Sequence, residues 1–310
     1  MDFKKYLEIA ANEIEENIQK YLADWEKEVK KSNPKLTPFV QSLINSTKGG
    51  KRIRGSLVKL GYELTQSVIP DLIGDPYNID SRFRSPRGEA GGNDKGGNDI
   101  FKIGAAFEIL HAALLIHDDI MDQSPTRRGQ PSVYKALGGN HYGISQAINI
   151  GDLGLYLPIK IIADSHFPAK YKLKALSYFS QMVINTGLGQ ILDVERLQGG
   201  NHLTEDDIEF ININKTAKYT IAGPLQIGAI LAGGEQELVE ILGEFGENLG
   251  IAFQIQDDIL DREVQSVDQS KTKALEYMLE AKKVIPDISK HNKMSILLNQ
   301  LAEYLVERNK

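Results

Sequence analysis

The chain is expected to fold as an all-α protein, a single large helical bundle. Three observations predict this. Apolar residues recur at helical period through most segments, and no stretch alternates apolar and polar residues as a half-buried strand does. Two acid clusters also sit inside apolar runs of helical length, EILHAALLIHDDIMD at 108–122 and FQIQDDILD at 253–261. We expect about a dozen helices around a central cavity lined by those acids.

Taken in order, residues 2–31 place Phe3, Leu7, Ile14, Ile18, Leu22, Trp25 and Val29 at helical spacing. Pro34 and Pro38 mark a break and a restart. The stretch TKGGKRIRG, 47–55, joins a glycine pair to three cations and leads into a helix over 56–65. A helix N-terminus attracts anions through unpaired N–H groups, and Lys51, Arg52 and Arg54 strengthen that pull. Residues 68–99 hold two GGND near-repeats, three prolines and almost no periodic apolar residues. That composition builds no core, so a long exposed loop is expected inside one domain spanning 1–310.

Helical period resumes at Ile100 and enters the first acid motif. Two helices are expected over 131–150 and 152–164, divided at Gly151, and another after Pro168 carrying GQILD at 189–193. Thr204 is a fitting N-cap for a helix over 205–213. The small-residue run 215–232 with Pro224 inside suggests a buried, kinked helix. Residues 235–260 carry the second acid motif, and amphipathic helices over 271–284 and 293–308 finish the chain.

Composition narrows the function. Charged residues make up 25% and hydrophobic residues 41% of the 310-residue chain, as in ordinary globular proteins. The net charge of −6 argues against nucleic acid as the partner. With no cysteine, thiolate metal sites and a thiol nucleophile are excluded. The first twenty residues are charged and unlike a signal peptide, and the uncharged run 219–234 is short and glycine-rich for a membrane span, so a cytoplasmic location is expected.

Asp118 and Asp122 are four apart, as are Asp257 and Asp261, so each pair shares a helix face one turn apart. Like charges there repel, and an apolar helix is a costly place to keep them unless a cation lies between. A hard divalent ion fits, since carboxylates supply a few oxygens and a phosphate ligand supplies others.

With these residues assembled, the sequence resembles the trans-isoprenyl diphosphate synthases, the polyprenyl synthetase family. The shared features are GGKRIR, His111, DDIMD followed by RRG, GQILD, the Lys215-Thr216 pair and FQIQDDILD, in that order, with a further match in the terminal LAEYLVERNK. The resemblance implies an isopentenyl diphosphate site formed by Lys51, Arg54, His111 and Arg128. It implies an allylic diphosphate site formed by Arg127, Lys215 and the aspartates, with Gln190 and Asp193 supporting Lys215. Asp118, Asp122 and Asp257 would hold Mg²⁺, three ions in all, and Asp119, Asp193, Asp258 and Asp261 complete the acidic set around the metal. Asp119 and Asp258, turned about 100° from their neighbours, are expected to act through water or a neighbouring group. Thr216 and Gln254 resemble oxygen-bearing groups near the developing allylic cation. The family also implies a homodimer.

Ala113 and Leu114, five and four residues before Asp118, lie where family members that stop at fifteen carbons carry aromatic plugs. Ala113 leaves that first turn open, which implies a product of twenty carbons, geranylgeranyl diphosphate, or longer, and Ala113→Phe is expected to shorten it. Two departures from the family pattern stand out: the loop at 68–99, and the run REVQSVDQSKTK after Asp261, where the family has a glycine-rich segment with a Gly-Lys. Lys271 or Lys273 would have to replace that lysine. A class I terpene cyclase and a non-catalytic helical partner subunit are the competing readings. The first has no use for Lys51, Arg54 and Arg128 together, and the second has no use for intact acid motifs.

Overall fold

The computed structural model describes residues 2–73, 95–197, 203–261 and 266–307. Among them the fold is helical. The helices are α1 (Phe3–Ser32), α2 (Thr37–Ser46), α3 (Ile53–Ile73), α4 (Lys95–Met121), α5 (Val133–Ala136), α6 (His141–Asp164), α7 (Ala169–Leu197), α8 (Glu205–Ile211), α9 (Gly223–Leu231), α10 (Gln236–Asp261), α11 (Val267–Lys283), α12 (Ile285–Ile288) and α13 (Asn292–Val306). A short 3₁₀ turn, Pro34–Leu36, joins α1 to α2, and a π-helical segment, Asn212–Ala222, joins α8 to α9.

Capping explains several ends. Asp2 accepts from Lys5 N–H to start α1, and Asn140 accepts from Gly143 N–H to start α6. Thr204 and Asp207 form a reciprocal capping box at α8, as the Thr204 position predicted. Buried apolar residues from α1, α3, α4, α7, α9, α10 and α13 form one contiguous core, with Phe107 edge-on to Phe179 at 5.8 Å between α4 and α7.

The fold is all-α, with one two-residue antiparallel pair, Thr126–Arg127 against Gln130–Pro131, forming a tight hairpin after the first acid motif. Three expectations about the elements need correction. The break expected at Gly151 falls earlier, at Gly138 and Gly139 with φ of +108° and +67°, and α6 is continuous through Gly151. Gly151 serves packing, because a Cβ there would meet His117 Nε2 at 2.2 Å. Pro224 enters α9 at its first turn, where no N–H is needed, and the irregularity lies before it as wide π turns. Both ends of the stretch 68–99, expected as loop, are helical: α3 runs to Ile73 and α4 begins at Lys95, while 74–94 lies outside the described residues.

Asp99, at the edge of that expected loop, is core structure. It is 1% exposed and accepts from Lys102 Nζ at 2.6 Å, His166 N–H at 2.5 Å and His166 Nδ1 at 2.7 Å, tying α4 to the α6–α7 turn. Burial pushes its carboxyl pKa up, but the hydrogen bonds from Lys102 and His166 win and hold it below the usual carboxylate value. Its contribution to stability is therefore present above the unfolded pKa of about 3.9 and is lost as pH falls through the lower folded value. Asp99→Ala should lower the melting temperature by roughly 3 °C, from about 2 kcal/mol of lost charge-assisted bonding. An unchanged thermal melt would show that this end of α4 frays without it.

By length and composition one helix segment, Asp99–Met121, passes the test for a membrane span, with mean hydropathy 1.6, yet 67% of its most apolar window is buried inside the protein. Its apolar character is that of a central core helix.

Candidate diphosphate and metal site

α4 delivers the first acid motif. Asp118 is half-buried, Asp119 is 3% exposed and Asp122 is exposed. Gln190 Nε2 donates to Asp118 Oδ1 at 3.2 Å, Lys215 Nζ lies 3.4 Å from the same oxygen, and Arg127 lies 3.7 Å from Oδ2. One carboxylate thus gathers groups from α7, the π segment and the hairpin.

The π segment is pinched in place. A Cβ on Gly189 of α7 would lie 2.5 Å from Lys215 N, so the glycine of GQILD lets α7 reach the backbone that carries Lys215. On its other side Gly246 meets Ala222 and Gly250 meets Ala217. That antiparallel register sets Lys215 level with about residue 252 of α10, so Asp257 follows within about 8 Å along the axis at 1.5 Å per residue. The second acid motif therefore belongs to the same end of the bundle as the first. Gln254 Nε2 donates to Asp258 Oδ1 at 2.6 Å, and Thr216 is half-buried beside Lys215. The Asp261 side chain lies outside the described residues.

Two expected metal ligands have other partners. Asp119 accepts from Arg127 Nε at 2.9 Å and Nη2 at 2.5 Å, so it aims that arginine. Asp193 accepts from Lys215 at 2.5 Å and Arg196 at 2.8 Å, one on each oxygen, and so aims the lysine. Among the described residues no three acidic or histidine side chains form a ready-made metal cage. The donor set nevertheless fits a hard divalent ion. Asp118 and Asp122 offer oxygen only, and Mg²⁺ commonly takes one or two carboxylates and completes its shell with water and substrate phosphates. Partial desolvation at the site, then Asp118 and Asp193, push the Asp122 pKa up, and Lys215 and Arg127 offset part of the shift. Burial opposes the charge of Lys215, yet Asp118, Asp193 and Asp122 hold its pKa above the ordinary lysine value.

A second cluster, mainly cationic, forms at the start of α3. Gly49 and Gly50 take φ of +78° and +96°, and Arg52 takes +52°, a left-handed conformation unusual for a residue with a side chain. Ion pairs hold Arg52 there: Nε donates to Glu15 at 2.8 Å, and Nη1 lies 3.8 Å from buried Glu108, which also accepts from Gly55 N–H at 3.0 Å. Arg52 is thus 5% exposed, a buried ion-pair anchor for the loop. Lys51 is left exposed, 5.7 Å from the Tyr304 ring of α13. Arg128 stretches along the same loop and donates to Lys48 O at 2.5 Å.

Arg54 donates from Nη2 to both Tyr219 Oη and Thr220 Oγ1 at 3.0 Å. Burial, then Arg54, Arg128, Arg127 and Arg52, depress the His111 pKa well below the usual histidine value. His111 is accordingly neutral near pH 7 beside these arginines. Tyr219, Thr220, Glu15 and Glu108 were not among the residues marked in the sequence. Tyr219 alone carried a signal, an aromatic four residues after Lys215 in a run of small side chains.

A cavity of about 610 Å³ opens between α4 and α7. Asp118, Gln190 and Lys215 line its polar end, while Leu114, Leu155, Val183 and Val194 contribute apolar wall. Leu114 therefore faces this cavity. Ala113 does not line it. It is fully buried and packs on α6, where a Cβ on Gly154 would lie 2.7 Å from Ala113 Cβ. Its small size serves helix approach. Lys271 and Lys273 are exposed on α11.

The fold has counterparts elsewhere. The polyprenyl synthetase family model matches residues 35–304. The chain belongs to the polyprenyl synthetase family. It is 31% identical over 238 residues to the geranylfarnesyl diphosphate synthase of Natronomonas pharaonis, covering 76% of this chain and 64% of that one. It is 29% identical over 260 residues to the geranylgeranyl diphosphate synthase of Sulfolobus acidocaldarius, covering 83% of this chain and 66% of the relative. The chain thus spans just under two thirds of the length of these two relatives. With the farnesyl diphosphate synthase of Escherichia coli it shares 25% identity over the full length of both chains. The geranylgeranyl pyrophosphate synthase of Corynebacterium glutamicum, solved with isoprenyl diphosphate and magnesium, shares the fold with a TM-score of 0.80 over 100% of both chains at 23% identity.

Proposed function

We propose that this family member is a prenyltransferase that joins isopentenyl diphosphate to an allylic prenyl diphosphate and releases diphosphate. The observation that carries this reading is the pair of unlike anion settings. One is built on carboxylates with Lys215 and Arg127 at the mouth of an apolar cavity. The other is built on Arg54, Arg128 and His111, where the nearby carboxylate Glu108 is already held by Gly55 N–H and faces Arg52. A substrate ionised in place and closed on itself needs only the first setting. A second diphosphate, held without metal, needs the second.

In this reading Lys215 and Arg127 hold the allylic diphosphate and balance negative charge as its C–O bond breaks. Magnesium held by Asp118, Asp122 and Asp257 would supply Lewis-acid stabilisation of that leaving group. Arg54, Arg128 and Lys51 hold isopentenyl diphosphate so that its double bond faces the allylic carbon, turning an encounter into a positioned reaction. The new C–C bond forms and a proton is lost, with the departed diphosphate as the nearest base. The allylic tail extends into the α4–α7 cavity, and its open wall at Leu114 supports a product of twenty carbons or more.

Leu114→Phe should therefore shift products towards shorter chains, whereas Ala113→Phe should destabilise the α4–α6 contact, since overpacking a close helix approach costs about 1–3 kcal/mol. Thin-layer or mass-spectrometric product profiles with melting curves check both. A clean shortening by Ala113→Phe in a stable protein would return the tunnel to that residue.

The reading carries with it a cytoplasmic homodimer. Tyr156 on α6 and Ile184, Leu188 and Ile191 on α7 are exposed, at 69%, 55%, 48% and 65%, and a second copy would cover them. The direct test is incubation with Mg²⁺, labelled isopentenyl diphosphate and allylic diphosphates of increasing length. Linear extended diphosphates support the proposal. Cyclic hydrocarbon from the allylic substrate alone would identify a cyclase, and no turnover by folded protein would identify a non-catalytic partner subunit.

A further inference from the structure

We propose that Tyr219 is a positioning residue that divides the two substrate sites and holds Arg54 ready for the isopentenyl diphosphate. The inference rests on the prenyltransferase reading and adds a residue to it. Tyr219 follows Lys215 by four positions on the π segment, just under one turn of an i→i+5 helix, so both side chains reach the same cavity wall. Lys215 is at the carboxylate setting. The Tyr219 hydroxyl accepts from Arg54 Nη2 at 3.0 Å and lies 3.5 Å from His111 Nδ1, while the Arg54 guanidinium carbon lies 4.7 Å from the centre of the tyrosine ring. One side chain thus borders the allylic cavity and touches two of the groups assigned to the second diphosphate.

The chemistry of the contact is what makes it a positioning device. Arg52 is oriented by carboxylates, which cancel its charge locally. Arg54 is oriented by two hydroxyls, Tyr219 and Thr220, and by an aromatic ring. These fix the guanidinium plane through hydrogen bonding and cation–π attraction without neutralising it. Both hydroxyls sit on Nη2, which leaves the N–H groups of Nη1 for an outside anion.

The test compares Tyr219→Phe with Tyr219→Leu in the full chain, with thermal melts to verify folding. Tyr219→Phe keeps the ring and removes the hydroxyl. The Michaelis constant for isopentenyl diphosphate should rise about five- to tenfold, as one of two bonds to a charged group is lost. Turnover at saturation, the allylic Michaelis constant and the product lengths should stay within twofold. Tyr219→Leu removes the wall as well, and should add a change in allylic preference or product distribution. A wild-type Michaelis constant for isopentenyl diphosphate in Tyr219→Phe would overturn the proposal. So would an equal rise for both substrates accompanied by a lower melting temperature, which would mark a purely structural role. Calorimetric binding of isopentenyl diphosphate alone separates the two levels of inference. Weaker binding to Tyr219→Phe supports the Tyr219 role even in a protein that fails to turn over, and unchanged binding overturns it even in an active enzyme.

Discussion

Asp118→Ala should lower turnover by roughly a thousandfold while leaving helix content and substrate Michaelis constants close to wild type. The size follows from removing electrostatic stabilisation at a site where charge develops only as the bond breaks. Such a loss falls on kcat, because the ground-state complex makes little use of it. The geometry adds a reason for Asp118 to exceed its neighbours: it faces Gln190, Lys215 and Arg127 at 3.2, 3.4 and 3.7 Å, so its loss also frees the two cations that frame the leaving group. Asp257→Ala should behave similarly from the other side of the π segment. Asp119→Ala should differ, acting through Arg127, and Arg127→Lys should reproduce much of its effect. Steady-state kinetics across Mg²⁺ concentrations read all four. Near-wild-type turnover in Asp118→Ala would remove the metal assignment.

Arg54→Ala should raise the Michaelis constant for isopentenyl diphosphate by tenfold or more. A charge-assisted hydrogen bond contributes about 1.5–3 kcal/mol, and about 1.4 kcal/mol is a factor of ten. Lys51→Ala should give a smaller shift, since Lys51 is exposed and screened by solvent. Both variants should leave the allylic Michaelis constant unchanged, because in the proposed reading they hold the other diphosphate. If only the allylic constant moved, the two anion settings would have to be exchanged. Arg52→Met is an informative contrast: its cation anchors the loop through Glu15 and Glu108, so it should lower thermal stability before it affects either substrate.

The all-helical architecture was legible because it depends on local periodicity. Residues spaced every three or four along the chain share a face whatever packs on it, so the run of Phe3, Leu7, Ile14, Ile18 and Leu22 reads as one side of a helix and is buried as one. The Thr204 cap was legible for the same reason, since its partner is three residues away. The loop boundary was misjudged at Asp99. Its value comes from His166, 67 residues distant, and no local pattern announces such a partner.

By itself the sequence determined which atoms are available: two carboxylate pairs at one-turn spacing, an arginine-rich loop behind two glycines, and a Lys-Thr pair preceding a proline. Spacing along one helix is a property of the backbone, so these followed without knowing the fold. Only the tertiary structure decided what each charge does. Asp119 and Asp118 are neighbours in sequence, yet a rotation of about 100° turns one to Arg127 and the other to Gln190 and Lys215. Arg52 and Arg54 are two apart, yet one is neutralised by glutamates from α1 and α4 while the other is steered by hydroxyls and keeps its charge for a ligand. Ala113 and Leu114 are adjacent, yet the first closes on Gly154 and the second faces the cavity. The physical reason is the same in each case. Side-chain chemistry is encoded residue by residue, whereas the partner that directs it comes from an element remote in the chain, brought within 3–4 Å only when the helices pack.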